Sequence, residues 1–232
     1  MKEKILLGVI PARSGSKGIK NKNMKKVMGQ PLIAYTITDA LTYRNIDKVI
    51  VTTDSKDIAQ TAKKYGADVP FIRPKYLAAD NTSMLAVLKH ALIKCEKIYA
   101  VKISGIVLLD PTSPMRSKKE MEDMVEVFLK ESPDLVLAVS PARKNPYFNM
   151  VKINTDNYAQ LALKGHYIRR QDAPEIYDIT NNCWIFSRSA ILRGSRIPKK
   201  TIPYEIKSSY IDIDSEEDLK LFECLLKTRA GS

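Results

Sequence analysis

Apolar and polar positions along this chain follow two different periods. The runs ILLGVIPA, KVIVTTD, GIVLLD and DLVLAVSP are continuously apolar, as strands buried on both faces should be. Between them the apolar residues take helical spacing. Pro31 opens a helix at its first helical position, where a missing N–H costs nothing, and Leu32, Ile33, Tyr35, Thr36 and Ala40 follow. Ser55 caps the next helix, whose Ile58, Ala59 and Ala62 form an apolar stripe. ADVPFIRP is short and extended, then Ser83–Cys95 reads as a helix with Leu85, Leu88 and Leu92 inward, and Lys118–Glu131 as another. Strand–helix alternation of this kind predicts an α/β fold with a mostly parallel sheet and right-handed crossovers. Ligands of such sheets sit beyond the carboxyl ends of the strands. The residues that break the apolar pattern stand where strands stop: Arg13, Asp54, Arg73 and Asp110.

From Ala142 to about Thr180 the rhythm breaks into short alternating stretches punctuated by Pro, Asn and Gly. This predicts an excursion of hairpins, 142–180, inserted into a main α/β domain formed by 1–141 and 181–230. CWIF then resumes a strand, and SYIDIDSEEDLKLFECLLK closes the chain. No internal repeat or low-complexity tract is visible.

Length adds that a core of this size needs no staple, since a chain of 232 residues buries roughly 70% of its unfolded surface. Cys95, Cys183 and Cys224 are far apart, match no metal-ligand spacing, and read as free thiols in a reducing compartment. No apolar run approaches the ~20 residues that cross a bilayer, and residues 1–11 are too short for a signal peptide. A cytoplasmic protein with no membrane partner is expected. The net charge of +12 admits a nucleic acid or a small polyanion such as a nucleoside triphosphate. Aromatic residues are few and not interleaved with the basic ones, so no stacking platform for nucleic acid is visible.

Four stretches carry candidate chemistry. VIPARSGSKGIKNKN follows the first strand with Gly15 and Gly18, which can point backbone N–H groups at phosphate, and with Arg13, Lys17 and Lys22, which add charge. Its spacing is neither that of a P-loop nor G-x-G-x-x-G. The bland alternative is a solvated basic turn. In YIDIDSEEDL, residues two apart on a strand share a face, so Asp212 and Asp214 point one way and Ile211 and Ile213 into the core. Two such carboxylates repel unless a cation lies between them, and Mg²⁺ prefers few carboxylates with waters and phosphates. Capping of the next helix by Asp214 or Ser215, with Asp218 completing a box, is the alternative, but it leaves Asp212 unexplained. LLDPTSPMR exposes Asp110, Thr112, Ser113 and Arg116 on a proline-stiffened loop, either a pocket rim or a rigid connection. LAADNTS is a helix cap through Asp80 and Asn81 or a polar pocket rim. His90 and His166 have no neighbour that makes a triad and read as structural, and Trp184 reads as core or pocket wall.

Taken in order, IPARSGSKGIKNKN, QPLIAYTI, VTTDSKDIA, RPKYLAADNTS, LLDPTSPMR, RRQDAP and IDIDSEEDL make most of the chain resemble the bacterial acylneuraminate cytidylyltransferases, or CMP-sialic acid synthetases. The resemblance implies a homodimeric, Rossmann-like α/β nucleotidyltransferase. Such an enzyme couples CTP to a nine-carbon 2-keto sugar acid and releases pyrophosphate, with Mg²⁺ as cofactor and no nucleic-acid partner. It implies Arg13 and Lys17 on the triphosphate, Lys22 and Asn23 near phosphate and cytosine, and Arg73 after the third strand. Ser14, Gly15, Asp80 and Ser83 complete the implied nucleotide set. Asp212 and Asp214 fall on the metal carboxylates. Asp110, Thr112, Ser113, Arg116, Arg143 and Arg170 fall in the implied sugar set, and residues 142–180 on a dimerisation segment reaching the partner's site.

The chain departs from the pattern at two places. Many sialic acid members have Gln where Asp110 stands; an ionised Asp accepts without donating, so a sugar with a different donor pattern is expected. The usual N-G-A-I-Y strand reads Thr180-Asn181-Asn182-Cys183-Trp184 here. SPARKNPYFNMV and LLDPTSP look more like members that activate legionaminic acid, a diamino nonulosonic acid. CMP-N-acetylneuraminate synthesis, a Kdo-type cytidylyltransferase and a non-catalytic nucleic-acid module are the competing readings.

Overall fold

The computed structural model describes residues 4–15 and 18–230; Lys17 of the basic loop lies outside them. Strand β1 (Lys4–Pro11) leads through the basic loop into a two-residue ladder, β2 (Lys26–Val27) with β3 (Gln30–Pro31), and then helix α1 (Leu32–Ala40). Strand β4 (Lys48–Thr52), helix α2 (Lys56–Lys64), helix α3 (Met84–Tyr99), strand β5 (Lys102–Leu108), helix α4 (Lys118–Glu131) and strand β6 (Leu135–Pro141) follow. The excursion carries the hairpin β7 (Val151–Ile153) and β8 (Ala159–Leu161). Strand β9 (Tyr177–Ser187), helix α5 (Arg188–Arg193), strand β10 (Thr201–Glu205) and helix α6 (Glu216–Ala230) complete the chain.

The six-stranded sheet runs β10-β6-β9-β5-β1-β4. β1 lies parallel to β4 and β5, and β10 parallel to β6, whereas β9 is antiparallel to both its neighbours. The reversal follows from the excursion, which leaves β6 at Pro141 and returns beside it at Tyr177, so the chain re-enters the sheet at the end it left. Two strand-level expectations need correction. Pro31 stands at the N-cap with extended backbone, one position before the first helical residue. ADVPFIRP forms only two isolated bridges beside β4, Ile50 with Asp68 and Thr53 with Ile72, because Pro70 between them has no N–H for a ladder.

Each helix buries the face that its spacing dictates. Ile33 and Ile37 of α1, Ala62 of α2 and Met124 and Val125 of α4 cover one side of the sheet; Leu88 and Leu92 of α3 and Ile191 of α5 cover the other. Ser55, Ser83 and Ser117 cap α2, α3 and α4 by accepting the N–H three residues on. A third cluster positions the site. Leu219 and Phe222 of α6 pack with Ile19 of the basic loop, Leu32, Met115, Ile211 and Ile213. Residues 211–214 were expected in a strand, yet they are extended without a ladder, held by one backbone bond, Ile213 N–H to the Thr112 carbonyl at 2.8 Å. Burying two isoleucines at roughly 1.5–3 kcal/mol each anchors them without strand pairing and keeps Asp212 and Asp214 facing outward. Among the described residues no helix is long and apolar enough to cross a membrane.

Candidate active site

Beyond the carboxyl ends of β1, β4 and β5 lies a cleft of about 370 Å³ lined by Arg13, Lys22, Asn23, Arg73, Thr112 and Asp214, with Gly18, Asp110 and Asn181. Its basic residues are held by internal carboxylates. Arg13 donates to Asp80 Oδ1 at 2.5 Å, and Lys22 to the Ile213 carbonyl at 2.7 Å and Asp214 Oδ1 at 2.9 Å. Asn23 is buried and donates to the Arg13 carbonyl at 3.2 Å, stiffening the loop from within. Gly15 is exposed with open space around its Cα, whereas a Cβ on Gly18 would run into the Asp214 backbone carbonyl. The glycine at 18 is therefore what lets the basic loop and the Asp-x-Asp segment touch. Gly18→Ala should raise KM for CTP about tenfold and lower Tm by roughly 2–8 °C, as overpacking by 1–3 kcal/mol implies, while Gly15→Ala leaves Tm unchanged. A thermal melt and a CTP titration check both.

Asp54 was noted at a strand end but given no role. It receives the Ser14 N–H at 2.9 Å and the Ser14 hydroxyl at 2.6 Å, so it clamps the start of the basic loop to the end of β4. Burial acts to raise its pKa, but the two Ser14 bonds and the charge of Arg73 outweigh it and hold the carboxyl below its ordinary value. Arg73 is 4% exposed, its nearest carboxylate oxygen on Asp54 lies 4.0 Å away, and its Nε has no partner. Burial pulls its pKa down and Asp54 works against that. A buried guanidinium so weakly paired is poised for a ligand's acceptor.

The two carboxylates of the Asp-x-Asp segment border different hollows. Asp214, with an 82% exposed side chain, faces the cleft. Asp212 opens onto a broader groove shared with Arg143, Lys144, Asp178 and Tyr210. Ser113, fully buried, donates its hydroxyl to Asp212 Oδ1, and Asn181 donates to Oδ2 at 2.9 Å. Capping accounts for neither aspartate: Ser215 and Asp218 form the box, with Asp218 Oδ2 accepting from the Ser215 N–H and hydroxyl at 2.8 and 2.7 Å. Among the described residues no three metal-ligating side chains converge. Two carboxylates are the number that suits Mg²⁺, which fills its sphere with water and phosphate oxygens. Asp110 accepts from Thr112 N–H and Oγ1 at 3.2 and 3.0 Å. Its pKa is raised, chiefly by burial and further by the charge of Asp212.

Several expected residues lie elsewhere. Arg116, expected at the sugar, is buried beneath the loop. Its nitrogens donate to the Asn182 carbonyl at 2.7 Å, Thr36 Oγ1 at 3.1 Å and the Asp110 carbonyl at 2.6 Å, so it braces the 110–116 loop. Ser83 is occupied as the α3 cap, which also answers the LAADNTS question: Asp80 pairs with Arg13 and does not cap. Arg170 donates to the Ala142 carbonyl at 2.8 Å and lines a separate hollow on the excursion. His90 packs edge-on against Phe71 with no carboxylate beside it, and His166 is exposed, not structural. Cys95 and Cys183 are buried and pushed up to about 12 by burial, which makes both inert. The sequence marked Asn181 and Asn182 only as a departure from the family strand and gave them no role. They occupy an irregularity where β9 slips register against β6, between the Leu137–Trp184 and Val139–Ile179 pairs. A bulge of this kind re-aims side chains: Asn181 turns to Asp212, and Asn182 donates to the Met115 carbonyl at 3.1 Å. Two adjacent asparagines in an apolar strand were the available signal.

Residues 7–227 match the cytidylyltransferase family model. Over 226 residues the chain is 35% identical to the CMP-N,N'-diacetyllegionaminic acid synthase of Campylobacter jejuni, covering 97% of this chain and 96% of that one. It is 30% identical over 232 residues to the pseudaminic acid cytidylyltransferase of the same species, covering 97% and 98%. A solved CMP:2-keto-3-deoxy-manno-octonic acid synthetase complexed with CTP shares the fold, with a TM-score of 0.72 at 16% identity over 97% of this chain and 100% of that one. Arginine and lysine side chains converging beyond a mostly parallel sheet, a full-length family match and relatives at this identity lead to one statement: the chain belongs to the cytidylyltransferase family.

Proposed function

We propose that this cytidylyltransferase transfers CMP from CTP to the anomeric hydroxyl of a nonulosonic acid, with N,N'-diacetyllegionaminic acid as the acceptor. The observation that carries the reading is the basic cleft with Asp214 and Asp110 in its lining, and Asp212, two residues from Asp214, on a separate groove. The cleft accounts for the polyanion. Asp110, an acceptor that cannot donate when ionised, favours a sugar that presents N–H groups. The legionaminate and pseudaminate relatives support the sugar class without separating its members.

In this reading Arg13 and Lys22 exchange their internal carboxylates for the triphosphate, Lys17 adds its charge, and Arg73 turns its unpartnered Nε to the nucleotide. Such a transfer is mostly positioning and charge stabilisation. Asp212 and Asp214 would hold Mg²⁺, which when bound would supply positive charge to the transferring phosphate. Ser113 and Asn181 fix the rotamer of Asp212, while Ile211 and Ile213 fix the backbone beneath it. The C2 hydroxyl attacks the α-phosphorus and gives up its proton to solvent, the bond to the β-phosphate oxygen breaks, and pyrophosphate leaves against the basic loop. Arg143 faces the groove from which a sugar carboxylate would approach.

The excursion exposes Val151 (60%), Ile153 (61%), Tyr158 (70%) and Ile168 (93%), apolar area that suits a second copy of the chain. In a homodimer Arg170, remote from its own cleft, would serve the other copy. Pyrophosphate release with CTP and Mg²⁺ tests the function across N,N'-diacetyllegionaminic acid, pseudaminic acid, N-acetylneuraminic acid and Kdo. Highest kcat/KM on the legionaminate is expected. Preference for N-acetylneuraminic acid would keep the reaction and discard the reading of Asp110.

A further inference from the structure

Beside the cation cleft, over β5 and β9, opens a second chamber of about 330 Å³. Leu85, Leu88, Leu108, Trp184 and Phe186 make its walls, and Asp110 and Asn181 belong to both hollows. Trp184 is fixed there by its Nε1–H on the Thr180 carbonyl at 2.9 Å and by stacking on Phe186 at 5.8 Å between centroids. The charged residues lining the chamber are Asp110 on the inner side and Arg196, whose guanidinium carbon lies 5.7 Å from the Trp184 ring centroid. Among the described residues no ion pair holds Arg196, and no hydrogen bond reaches Asp110 Oδ2, since Thr112 uses only Oδ1.

Asp110 as acceptor and Arg196 as donor in a mostly apolar lining, whose other polar residues are Ser83 and Asn181, match a secondary amide. Its N–H would meet the Asp110 carboxylate, its carbonyl the Arg196 guanidinium, and its methyl Trp184 and Leu88. A hydroxylated arm would set most of its O–H groups against the carbon of Leu85, Leu88, Leu108, Trp184 and Phe186, which leaves them without partners. The chamber lies on the β5–β9 side of the sheet, whereas Arg13 and Arg73 follow β1 and β4, so the nucleotide and the chamber's occupant sit apart. We propose that Arg196 is a specificity-determining residue that receives an acylamido arm of the acceptor sugar in this chamber. The assignment rests on the nonulosonate reading above and names the group that is read.

Steady-state kinetics on the wild type and Arg196→Ala test it, using N,N'-diacetyllegionaminic acid and the same sugar without its acetyl groups. Arg196 is exposed, so the variant should fold as the wild type does. The expected result is a rise of roughly tenfold or more in KM for the diacetyl sugar, as loss of a charge-assisted hydrogen bond implies. KM for CTP, kcat and the response to the deacetylated sugar should stay within about twofold. An active wild type whose KM for the diacetyl sugar ignores Arg196 overturns the assignment alone. A rise in KM for CTP instead would put the base in the chamber and overturn it too. A wild type silent on both sugars overturns the function reading and this assignment with it.

Discussion

Asp212→Asn should leave the fold and Tm essentially unchanged while lowering kcat by roughly 10²- to 10³-fold, from the several kcal/mol that a bound metal ion contributes to charge stabilisation. Asparagine keeps the shape of the side chain and can still satisfy both neighbours. Its oxygen accepts from one, and its amide donates to the Ser113 hydroxyl once that hydroxyl rotates to accept. What disappears is the negative charge beside Asp214. The Mg²⁺ concentration for half-maximal activity should rise with the fall in kcat, which a merely structural role would not produce. Full activity in the variant would remove Asp212 from the chemistry, and a collapsed Tm would make it a structural residue.

Arg73→Ala should cost the enzyme about 10²-fold in kcat/KM for CTP, the loss expected when one side of a buried charged contact, worth 2–5 kcal/mol, is removed. The folded protein has little to lose. Arg73 makes one carboxylate approach, at 4.0 Å, and leaves Nε without a partner, so its charge is a burden on stability until a ligand meets it. Tm should therefore hold or rise. Arg73→Lys should not restore CTP use, because a single ammonium cannot reproduce the planar fork. Restoration by lysine would show that only the charge matters. A large fall in Tm would reassign Arg73 to the fold.

Much of this architecture was legible because its causes are local. Four apolar runs became β1, β4, β5 and β6, and Lys118–Glu131 is a helix with those same bounds, since apolar spacing and a serine cap act within a few residues. The facing of Asp212 and Asp214 was also legible, although the strand assigned to them was not. Alternation of Ile211 and Ile213 with the aspartates is enough to turn the carboxylates outward whether a ladder forms or the isoleucines are merely buried. Arg116 misled because an arginine on a polar loop reads the same whether it faces a ligand or the underside of the loop. Its three backbone and hydroxyl acceptors come from residues far apart in the chain. Asp54 showed only its position at a strand end, and its partner Ser14 is 40 residues away.

The amino-acid order by itself determined the alternation of strands and helices, the basic loop after β1 and the outward turn of Asp212 and Asp214, each set by periodicity or spacing within a short window. Only the tertiary structure decided that β9 enters antiparallel, that a register slip turns Asn181 onto Asp212, and that Gly18 lets two remote segments touch. Nor could any local window show that Asp110 and Arg196 share one chamber. These features depend on contacts between residues tens to nearly two hundred positions apart, which form only once the sheet is assembled and the excursion has returned the chain to the end of β6.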